Sequence, residues 1–425
     1  MFRTLLPVSA LLFGSGLLLF AGGIHGLILP LRGGHEGFST AALGLLGTGW
    51  AIGFVTGCVM VPRMVGSVGH IRTFGVMCSL AAVAILTQAL MVDVWVWIPV
   101  RAISGFCFAG AAMIVESWLS ERAEPNTRGR IFGLYTMVNL GGATAGQLVI
   151  SLGDTTGVFF FMFGAIIYCL ALIPTALSTS KSPTPLTSVE LDIKALWRNS
   201  PVSVVAAFLI GTSNASFGTL AAVYADQIGL ALATITIFAS LPILLGAVCQ
   251  IPVGYLSDRI DRRFVLIGVA VLALCADTAF IWFAPEDATF NLVLAAIFGA
   301  AIFTMYPISV AHANDHAPAG TAIQVSGGHL LILGLGSISG PLIGGIAMAE
   351  LGPSGLFYTT ACTHVLLILF TVWRITQRAA VETEDKGAFQ ISSPARLATP
   401  QTEALARGSA GEGVHTEAPQ PEGKP

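Results

Sequence analysis

The chain has 425 residues, of which 54% are hydrophobic and only 10% are charged. Its mean hydropathy of +0.80 lies far above that of ordinary soluble proteins, so the composition excludes a soluble globular protein. The formal net charge of -3 indicates no particular charged partner, and we expect no contact with nucleic acid.

Apolar runs of about 20 residues recur along the chain, and each can cross the ~30 Å hydrocarbon core of a bilayer. They predict an all-α polytopic membrane protein with twelve transmembrane helices, called spans 1 to 12 here. The predicted spans cover residues 5–29, 39–61, 73–92, 95–119, 131–152, 158–177, 201–224, 234–255, 264–284, 289–311, 321–349 and 355–373.

The twelve spans divide into two sets of six. Residues 1–178 form the predicted N-terminal half and residues 201–374 the C-terminal half. The segment between them, 179–200, is rich in Ser, Thr and Pro, which predicts a cytoplasmic linker with a short surface helix over 189–197. Residues 375–425 are polar and rich in Pro, Glu and Ala, and they predict a disordered cytoplasmic tail.

Basic residues are distributed unevenly about the spans. If the N-terminus is cytoplasmic, Arg32 alone lies in an outer turn and Arg101 alone lies deep in a span. All other Lys and Arg residues are then cytoplasmic, as the positive-inside rule requires. The pattern predicts a multi-pass protein of the bacterial inner membrane with both termini in the cytoplasm.

Glycines suggest that the two halves are copies of each other. Four glycines of spans 4 and 5 match four glycines of spans 10 and 11 at a constant offset of 194 residues: Gly105, Gly133, Gly142 and Gly146 against Gly299, Gly327, Gly336 and Gly340. Two similar six-helix halves with a substrate site between them are a known transporter architecture.

A short and densely charged segment, Gly254-Tyr-Leu-Ser-Asp-Arg-Ile-Asp-Arg-Arg263, lies between spans 8 and 9. It must be a tight loop at the membrane surface, because a charge at the bilayer centre costs roughly 2.5–3.5 kcal/mol. The segment resembles the signature Gly-x-Leu-x-Asp-Arg-x-Gly-Arg-Arg of the major facilitator superfamily, with Asp261 in place of Gly.

This resemblance implies a conformational latch on the cytoplasmic side in the outward-open state. We expect Asp258 to accept hydrogen bonds from the backbone amides that begin span 11. The arginines of the implied latch are Arg259, Arg262 and Arg263.

The corresponding turn of the N-terminal half is degenerate, because Val61 stands where the acid belongs. Glu116 or Glu121 with Arg128 and Arg130 could form a substitute latch. Surface charges satisfied by water account for these residues equally well.

Two further motifs resemble those of the same superfamily. Arg101-Ala-Ile-Ser-Gly105 resembles its span 4 motif Arg-x-x-x-Gly. Arg101 lies ~9 Å below the outer end of its helix, so it either faces a cavity, binding solute or coupling protons, or extends to the outer headgroups. The second motif resembles the antiporter signature Gly-x-x-x-Gly-Pro-x-x-Gly-Gly but lies on span 11 instead of span 5, and its small residues also suit close helix packing: Gly336, Gly340, Pro341, Gly344 and Gly345.

Further motifs resemble an uncharacterised, YcaD-like branch of the bacterial facilitators: residues 115–119, 128–130 and 304–307. In the superfamily, spans 1, 4, 7 and 10 line the central cavity, so the best candidates for solute contact or coupling are His25, Arg101, Asn214 and Tyr306. Other polar residues lie on the helices behind them and favour interhelical hydrogen bonds: Asn139, Gln147, Gln250 and Gln324. Asp277 is a membrane acid and a candidate proton carrier, although the family places its helix at the periphery.

No catalytic or nucleotide-binding pattern is present, and cysteine spacing indicates neither a disulfide nor a metal site. We therefore expect no enzyme activity, no metal and no cofactor, with coupling to protons as the open possibility. The sequence predicts a monomeric secondary transporter in the lipid bilayer that moves a small organic solute by alternating access, with proton-coupled efflux favoured. The alternatives are an uptake permease for a small metabolite and a membrane sensor or scaffold that does not transport.

Overall fold

The structure is a computed structural model of the whole chain. It describes residues 2–122, 128–177, 193–283, 287–318 and 321–379, together with Val381, Glu384, Lys386, Gly387, Phe389 and Thr399. The side chains of residues 2–8, 122, 128, 129, 322 and 323 lie outside this description.

The described chain is helical throughout. The helices are α1 (Phe2–His35), α2 (Thr40–Val68), α3 (His70–Leu90), α4 (Val94–Arg122), α5 (Arg128–Leu148), α6 (Phe159–Ala176), α7 (Ile193–Asn199), α8 (Pro201–Gln227), α9 (Leu232–Arg259), α10 (Arg262–Phe283), α11 (Ala288–Asp315), α12 (Ala322–Leu351) and α13 (Gly355–Ile375). A 3-10 turn, Val149–Leu152, continues α5. The short α7 is the surface helix that the linker predicts, so spans 7–12 correspond to α8–α13.

The twelve long helices coincide with the twelve predicted spans, and several are longer than predicted. α1 continues through Pro30 to His35, and α9 continues into the charged segment as far as Arg259. α2 runs on to Val68 and stops at Gly69, whose φ of 85° favours glycine. Hydropathy marks only the apolar part of a helix, whereas the backbone hydrogen bonds extend it beyond the hydrocarbon.

Eleven of the described helices are long and apolar enough to cross a membrane. α5 is the long helix outside this group: it has 21 residues, but it is rich in glycine and polar residues. It packs along α1, where Gly142 and Gly146 approach the carbonyl oxygens of Gly16 and Phe20. Close packing against a neighbour, and not strong hydropathy, therefore characterises this span.

The two halves repeat the same close helix contacts. A methyl group added at Gly142 or Gly146 would overlap α1, and one added at Gly336 or Gly340 would overlap α8 in the same way. The overlapped carbonyl groups belong to Gly16, Phe20, Phe208 and Thr212, and the last two lie 192 residues beyond the first two. The glycine repeat in the sequence therefore reflects a structural repeat, with α1–α6 in one half and α8–α13 in the other.

The halves meet at the end of the bundle that the sequence predicts to be outer. The Thr40 hydroxyl donates to the Gly345 carbonyl at 3.0 Å, and the Thr48 hydroxyl donates to the Ile338 carbonyl at 2.8 Å. Both bonds join α2 to α12, and they lie in the half of α2 nearest the turn at residues 36–39. The structure is therefore closed at this end.

Some residues of the tail contact the helices. The sequence-based expectation of a disordered tail did not include these contacts. The Phe389 amide donates to Asp258 at 3.0 Å, and Lys386 Nζ donates to the Ile260 carbonyl at 2.7 Å. Thr399 hydrogen-bonds Glu116 on α4. Mainly backbone groups and single polar side chains make these contacts, so composition gives no signal of them. Apart from Val381, Glu384, Lys386, Gly387, Phe389 and Thr399, residues 380–425 lie outside the described part of the chain.

Candidate functional site

A cavity of about 130 Å³ lies between the two halves. Side chains of α1, α2, α4, α5 and α6 line it from one half, and side chains of α8, α9 and α11 line it from the other. Concave and largely apolar sites with a few convergent polar groups are the usual form of small-molecule sites. This cavity is therefore the candidate solute site.

Arg101 lies on the wall of this cavity and is only 8% exposed. Its helix lies close against α2, because Gly53 approaches the Ala102 carbonyl and Gly105 approaches the Trp50 carbonyl. These contacts hold the Arg101 segment in place. Arg101 thus has the cavity position that the first of the two interpretations expects, and its role in solute binding or coupling stays a prediction.

Two amide side chains share the cavity wall with Arg101. Both polar atoms of the Asn214 side chain are buried, and neither has a hydrogen-bond partner among the described residues. The same holds for Gln147 Oε1. Buried polar groups are normally hydrogen-bonded, so these atoms suit a polar solute in the cavity. Gln147 was expected behind the cavity, but it lies on its wall.

The remaining cavity surface is rich in aromatic rings, which the sequence analysis missed: Trp50, Phe108, Tyr168, Phe217 and Phe303. The Trp50 and Phe108 ring centroids are 5.7 Å apart. Aromatic residues are common throughout the spans, so composition alone could not select these five. Three of them, Phe108, Phe217 and Phe303, lie on helices that the sequence predicts to line the cavity, and that position is their available signal. Trp50 and Tyr168 lie on α2 and α6, which the sequence does not assign to the cavity.

Other candidates for solute contact lie away from the cavity wall. His25 Nε2 and Gln88 Oε1 are 2.6 Å apart, and both residues are buried behind it. Tyr306 is fully buried, with its ring 5.3 Å from the His329 ring. Phe303, almost one turn earlier on α11, takes the place on the wall that we expected for Tyr306.

The candidates assigned to supporting helices have varied surroundings. Asn139 Oδ1 accepts a hydrogen bond from the Ser15 hydroxyl at 2.6 Å, an interhelical contact of the expected kind. Gln250 is buried in α9, and Gln324 is exposed in the first turn of α12. None of these three residues lines the described cavity.

The charged segment forms a network inside the C-terminal half. Arg262 is 1% exposed, and its Nε donates to Asp315 Oδ2 at 2.6 Å. Its Nη1 contacts Asp258 at 3.1 Å and Ser257 at 2.9 Å, and its Nη2 contacts the Gly387 carbonyl. Arg262 thereby connects α9, α10, α11 and the tail.

Asp258 does not make the expected contact with the start of α12 among the described residues. Asp258 accepts from Arg262 and from the Phe389 amide instead. The implied latch belongs to the outward-open state, whereas this structure is closed at the predicted outer end. Asp315, which the latch hypothesis did not include, is the buried partner of Arg262.

The other charges of this region have local partners. Partial burial by itself raises the pKa of Asp261, but hydrogen bonds and charge from Arg263 outweigh it and hold the pKa below its usual value. Arg263 also donates to the Arg378 carbonyl at 2.8 Å. The Arg259 guanidinium lies 3.8 Å from the centroid of the Tyr255 ring.

The proposed substitute latch of the N-terminal half is only partly described. Glu116 is buried and accepts from the Tyr135 hydroxyl at 2.9 Å, as well as from Thr399. Arg130 is exposed, and the Arg128 side chain lies outside the described part. The role of Glu116, Arg128 and Arg130 as a latch stays a prediction.

The Gly- and Pro-rich motif packs α12 against two different helices. Gly336, Gly340 and Gly344 approach α8 in the same half, whereas Pro341 and Gly345 approach Gly44 and Thr40 on α2 in the other half. α12 is therefore both a packing element and part of the junction between the halves. Close packing accounts for every residue of the motif.

Comparison with known proteins gives the family. Residues 11–331 and residues 204–409 match the model of the Major Facilitator Superfamily, so the chain belongs to this family of membrane transporters. An uncharacterized MFS-type transporter of Yersinia pestis (strain Pestoides F) is 27% identical over 360 residues, which are 84% of this chain and 92% of that protein. The uncharacterized MFS-type transporter YcaD of Escherichia fergusonii is 25% identical over 368 residues, 85% of this chain and 94% of that protein. The predicted superfamily and its YcaD-like members are thus confirmed as relatives.

Solved structures of low sequence identity show the same fold. The nucleoside transporter NupG superimposes with a TM-score of 0.73 at 13% identity, covering 87% of this chain and 99% of that one. A bacterial homologue of the human lysosomal transporter Spinster, in an inward-facing and occupied conformation, gives 0.68 at 16% identity, with coverages of 89% and 97%. A D-xylose-proton symporter gives 0.64 at 15% identity, with coverages of 89% and 99%. The chain is a multi-pass membrane protein with the twelve-helix, two-half fold.

Proposed function

We propose that the protein is a monomeric secondary transporter of the bacterial inner membrane that exports a small anionic or amphiphilic organic solute in exchange for protons. The observation that supports this proposal best is the buried Arg101 on an aromatic-lined cavity between the two halves. A guanidinium at this depth is costly unless it serves a cavity or a partner. It matches a carboxylate or phosphate group, which it can hold through paired hydrogen bonds.

The rest of the cavity suits the remainder of such a solute. Aromatic rings accept an apolar or ring-containing body, and the unpartnered atoms of Asn214 and Gln147 suit hydroxyl, carbonyl or amine groups. The cavity receives side chains from both halves, so rocking of one half against the other would expose it to each side in turn. Transport by this mechanism needs no enzyme chemistry and no cofactor other than the coupling ion.

The proposal can be tested in inside-out membrane vesicles that hold a pH gradient. Benzoate, salicylate, taurocholate and ethidium are added one at a time, and proton release is followed with an internal pH-sensitive dye. We expect at least one of the anionic or amphiphilic compounds to release protons in wild-type vesicles. Arg101→Ala should reduce the release about 100-fold, because losing a buried charged contact commonly costs several kcal/mol.

Arg72→Ala is the matched control, since Arg72 is exposed at an end of α3, away from the cavity. It should release protons as the wild type does, at the same level of protein in the membrane. Full release with Arg101→Ala would remove the arginine from the solute site. Ethidium is an amphiphilic cation, so release with ethidium alone would contradict an anionic solute.

Uptake is the second candidate direction, because the fold is shared with a protein named a D-xylose-proton symporter. Right-side-out vesicles distinguish the two directions. An inward proton gradient should drive accumulation of the solute if the protein is a symporter, and it should drive depletion if the protein is an antiporter.

A sensor or scaffold would use the tail and not the cavity. Phe389, Gly387 and Thr399 contact the helices, so removal of the residues after Arg378 tests this alternative. A transporter should keep solute-dependent proton release after this truncation. Loss of a bound partner with no transport in either form would favour the scaffold.

A further inference from the structure

A buried polar cluster lies in the C-terminal half, outside the cavity. Asp277 Oδ2 on α10 and His364 Nδ1 on α13 are 2.7 Å apart. The Thr360 hydroxyl donates to the other carboxylate oxygen at 2.6 Å. His364 Nε2 lies 3.0 Å from the Ser213 hydroxyl on α8. The cluster is thus a hydrogen-bonded chain across three helices, running from a carboxylate through an imidazole to a hydroxyl.

Both members of the ionisable pair are removed from solvent. The Asp277 side chain is 0% exposed and the His364 side chain 2% exposed. Asp277 lies ~9 Å from the end of its helix, within the depth of the hydrocarbon. Of the described carboxylates in the C-terminal half, Asp277 alone lies away from a helix end. Such residues inside a membrane are rare and commonly belong to ion or proton paths.

The fold does not need a polar group at this place. The contacts of Gly16 and Phe208 relate α1 to α8 at an offset of 192 residues. Counting the same 192 residues back gives Ala21 for Ser213 and Ile85 for Asp277. Ala21 and Ile85 are both fully buried. At this offset the N-terminal half has buried apolar side chains where the C-terminal half has Ser213 and Asp277. Replacing a buried ion pair by apolar residues is often neutral or stabilising, so a packing role is a weak explanation of the pair.

The charge that acts on Asp277 comes from His364, with hydrogen bonds from His364 and Thr360. From α11, the Phe298 ring faces His364 at 6.0 Å. From α9, the Phe238 ring contacts Phe280, one turn beyond Asp277. From α8, the titratable Tyr224 packs its ring 5.8 Å from the Phe280 ring.

The chain of hydrogen bonds ends one residue before a residue that lines the cavity. Ser213, at its end, is followed directly by Asn214, whose amide lines the cavity wall. A solute that binds the Asn214 side chain would act on the same turn of α8 that holds the Ser213 hydroxyl. Movement of this turn would make or break the bond between Ser213 and His364.

We propose that Asp277 and His364 together hold the coupling proton, and that Ser213 connects this pair to the solute cavity. This inference rests on the proposed function, because a coupling proton has a role only in a proton-coupled transporter. In this inference the coupling proton is held in the C-terminal half, and the charged group of the solute is bound by Arg101 in the N-terminal half.

One proton is exchanged in each cycle. With the proton bound, an Asp277 carboxylate faces a His364 imidazolium and the pair has no net charge. When the proton leaves from Nε2 through the Ser213 hydroxyl to the cavity, a neutral imidazole remains, and its Nδ1–H donates to the carboxylate. The deprotonated pair carries one negative charge, which hydrocarbon disfavours. Release is therefore expected only when the cavity accepts the proton, which makes the exchange dependent on its state.

The test uses the intact protein in lipid nanodiscs and the proton itself as the probe. Proton binding between pH 4 and 9 is measured by potentiometric titration of wild type, Asp277→Asn and His364→Gln. We expect each variant to bind one fewer proton per chain than the wild type. His329→Gln is the matched control: it removes another buried histidine that contacts a serine, Ser309, at 2.8 Å, and it should not remove a proton from this pair.

The rate of proton release distinguishes a proton-relay role of Ser213 from a purely structural one. Ser213→Ala should keep the number of bound protons but slow their release after a pH jump about tenfold, as expected when a proton-transfer group is removed. The release is followed by stopped flow with a pH-sensitive dye in the bulk solution. An unchanged rate would remove Ser213 from the path.

Titration curves of Asp277→Asn and His364→Gln that superimpose on the wild-type curve would overturn the inference. If Asp277→Asn fails to fold, His364→Gln, which retains the carboxyl group, decides the result. The experiments distinguish failure of the proton site from failure of the proposed transport function. One proton held by the pair, with no solute-dependent release in vesicles, would reject proton-coupled transport but leave the site. Solute-dependent release that survives both substitutions would reject the site but leave the transporter.

Discussion

The two halves of the molecule share their helix packing but differ in where they place polar groups. Gly146 contacts α1 as Gly340 contacts α8. Counting back from Asp277 by the 192 residues that separate Gly16 from Phe208, however, gives the apolar Ile85. The shared contacts are those that the fold requires. Positions that are polar in one half and apolar in the other are then the best guide to function. The apolar residue in one half shows that the fold does not need a polar group at such a position.

One of the buried histidines of the N-terminal half, His25, sharpens this contrast. His25 contacts the neutral amide of Gln88, whereas His364 contacts a carboxylate. An amide cannot take up a proton in the physiological range, but a carboxylate and an imidazole can share one. In our proposal the N-terminal half supplies a fixed charge, Arg101, and the C-terminal half supplies the exchangeable proton of Asp277 and His364.

The largest effect on stability is expected from copying the acid into the apolar half. Ile85→Asp places a carboxyl group at a fully buried site, in a half that has no designed partner for it at that position. We expect it to destabilise the protein by about 3–5 kcal/mol, the usual cost of an uncompensated buried charge. The midpoint of thermal unfolding in detergent measures the change. Ile85→Val should lower that midpoint far less, and an unchanged midpoint in Ile85→Asp would show that this site is not equivalent to the core around Asp277.

The shared glycine contacts predict equal damage in both halves. Gly146→Val and Gly340→Val each force a side chain into a backbone carbonyl of the neighbouring helix, so each should cost about 1–3 kcal/mol or more. Gly268→Ala is the control, because nothing lies within 4 Å of an added methyl group there. Thermal unfolding of the three variants should lower the midpoint for the first two only. A large effect in one half alone would contradict the structural repeat.

Replacing the buried pair by apolar residues should separate folding from coupling. The double variant Asp277→Leu with His364→Leu resembles the N-terminal half, and we expect its stability to be equal to or above that of the wild type by up to about 4 kcal/mol. Proton-driven transport should be lost at the same time. A double variant that unfolds well below the wild-type midpoint would mean that the pair has a structural role.

The smallest effect concerns the charged segment, which has no intact counterpart in the N-terminal half. Asp258→Asn should weaken the outward-open state while leaving the protein in the membrane, because Asp258 is the carboxylate of the implied latch. Spin-label distances across the two ends of the bundle measure the populations of the two states. Glu384→Gln, a change at an exposed acid of the tail, should leave them as they are. Equal populations in Asp258→Asn and wild type would reject the latch.

Sequence alone predicted most of the fold, because the bilayer imposes a length and a hydropathy on each span. The twelve helices, the linker helix and the superfamily follow from such patterns and from motifs such as residues 254–263. Helix ends were less well predicted: α9 extends to Arg259 because its hydrogen bonds continue after its hydrophobic residues end.

The candidate site was predicted only in part. Arg101 and Asn214 lie on the cavity wall as predicted. They could be predicted because each is a polar residue on a helix that lines the cavity in the superfamily. Tyr306 and His25 are also polar residues on predicted cavity-lining helices, but their side chains are buried away from the cavity. The sequence does not give the rotation of a helix about its axis, so it could not separate these residues from Arg101 and Asn214. The partner of Asp277 was missed for a related reason: His364 lies 87 residues away, and only packing brings the two together.

The measurement that tests the account most directly compares solute exchange with proton release in Asp277→Asn. Vesicles carry the variant, and the radiolabelled form of the compound that the wild type exports is followed beside the internal pH. We predict that Asp277→Asn still exchanges labelled solute for unlabelled solute, because Arg101 and the cavity are intact, and that it releases no protons when solute is added. Proton release equal to that of the wild type in this variant would contradict the assignment of solute and proton to different halves of the molecule.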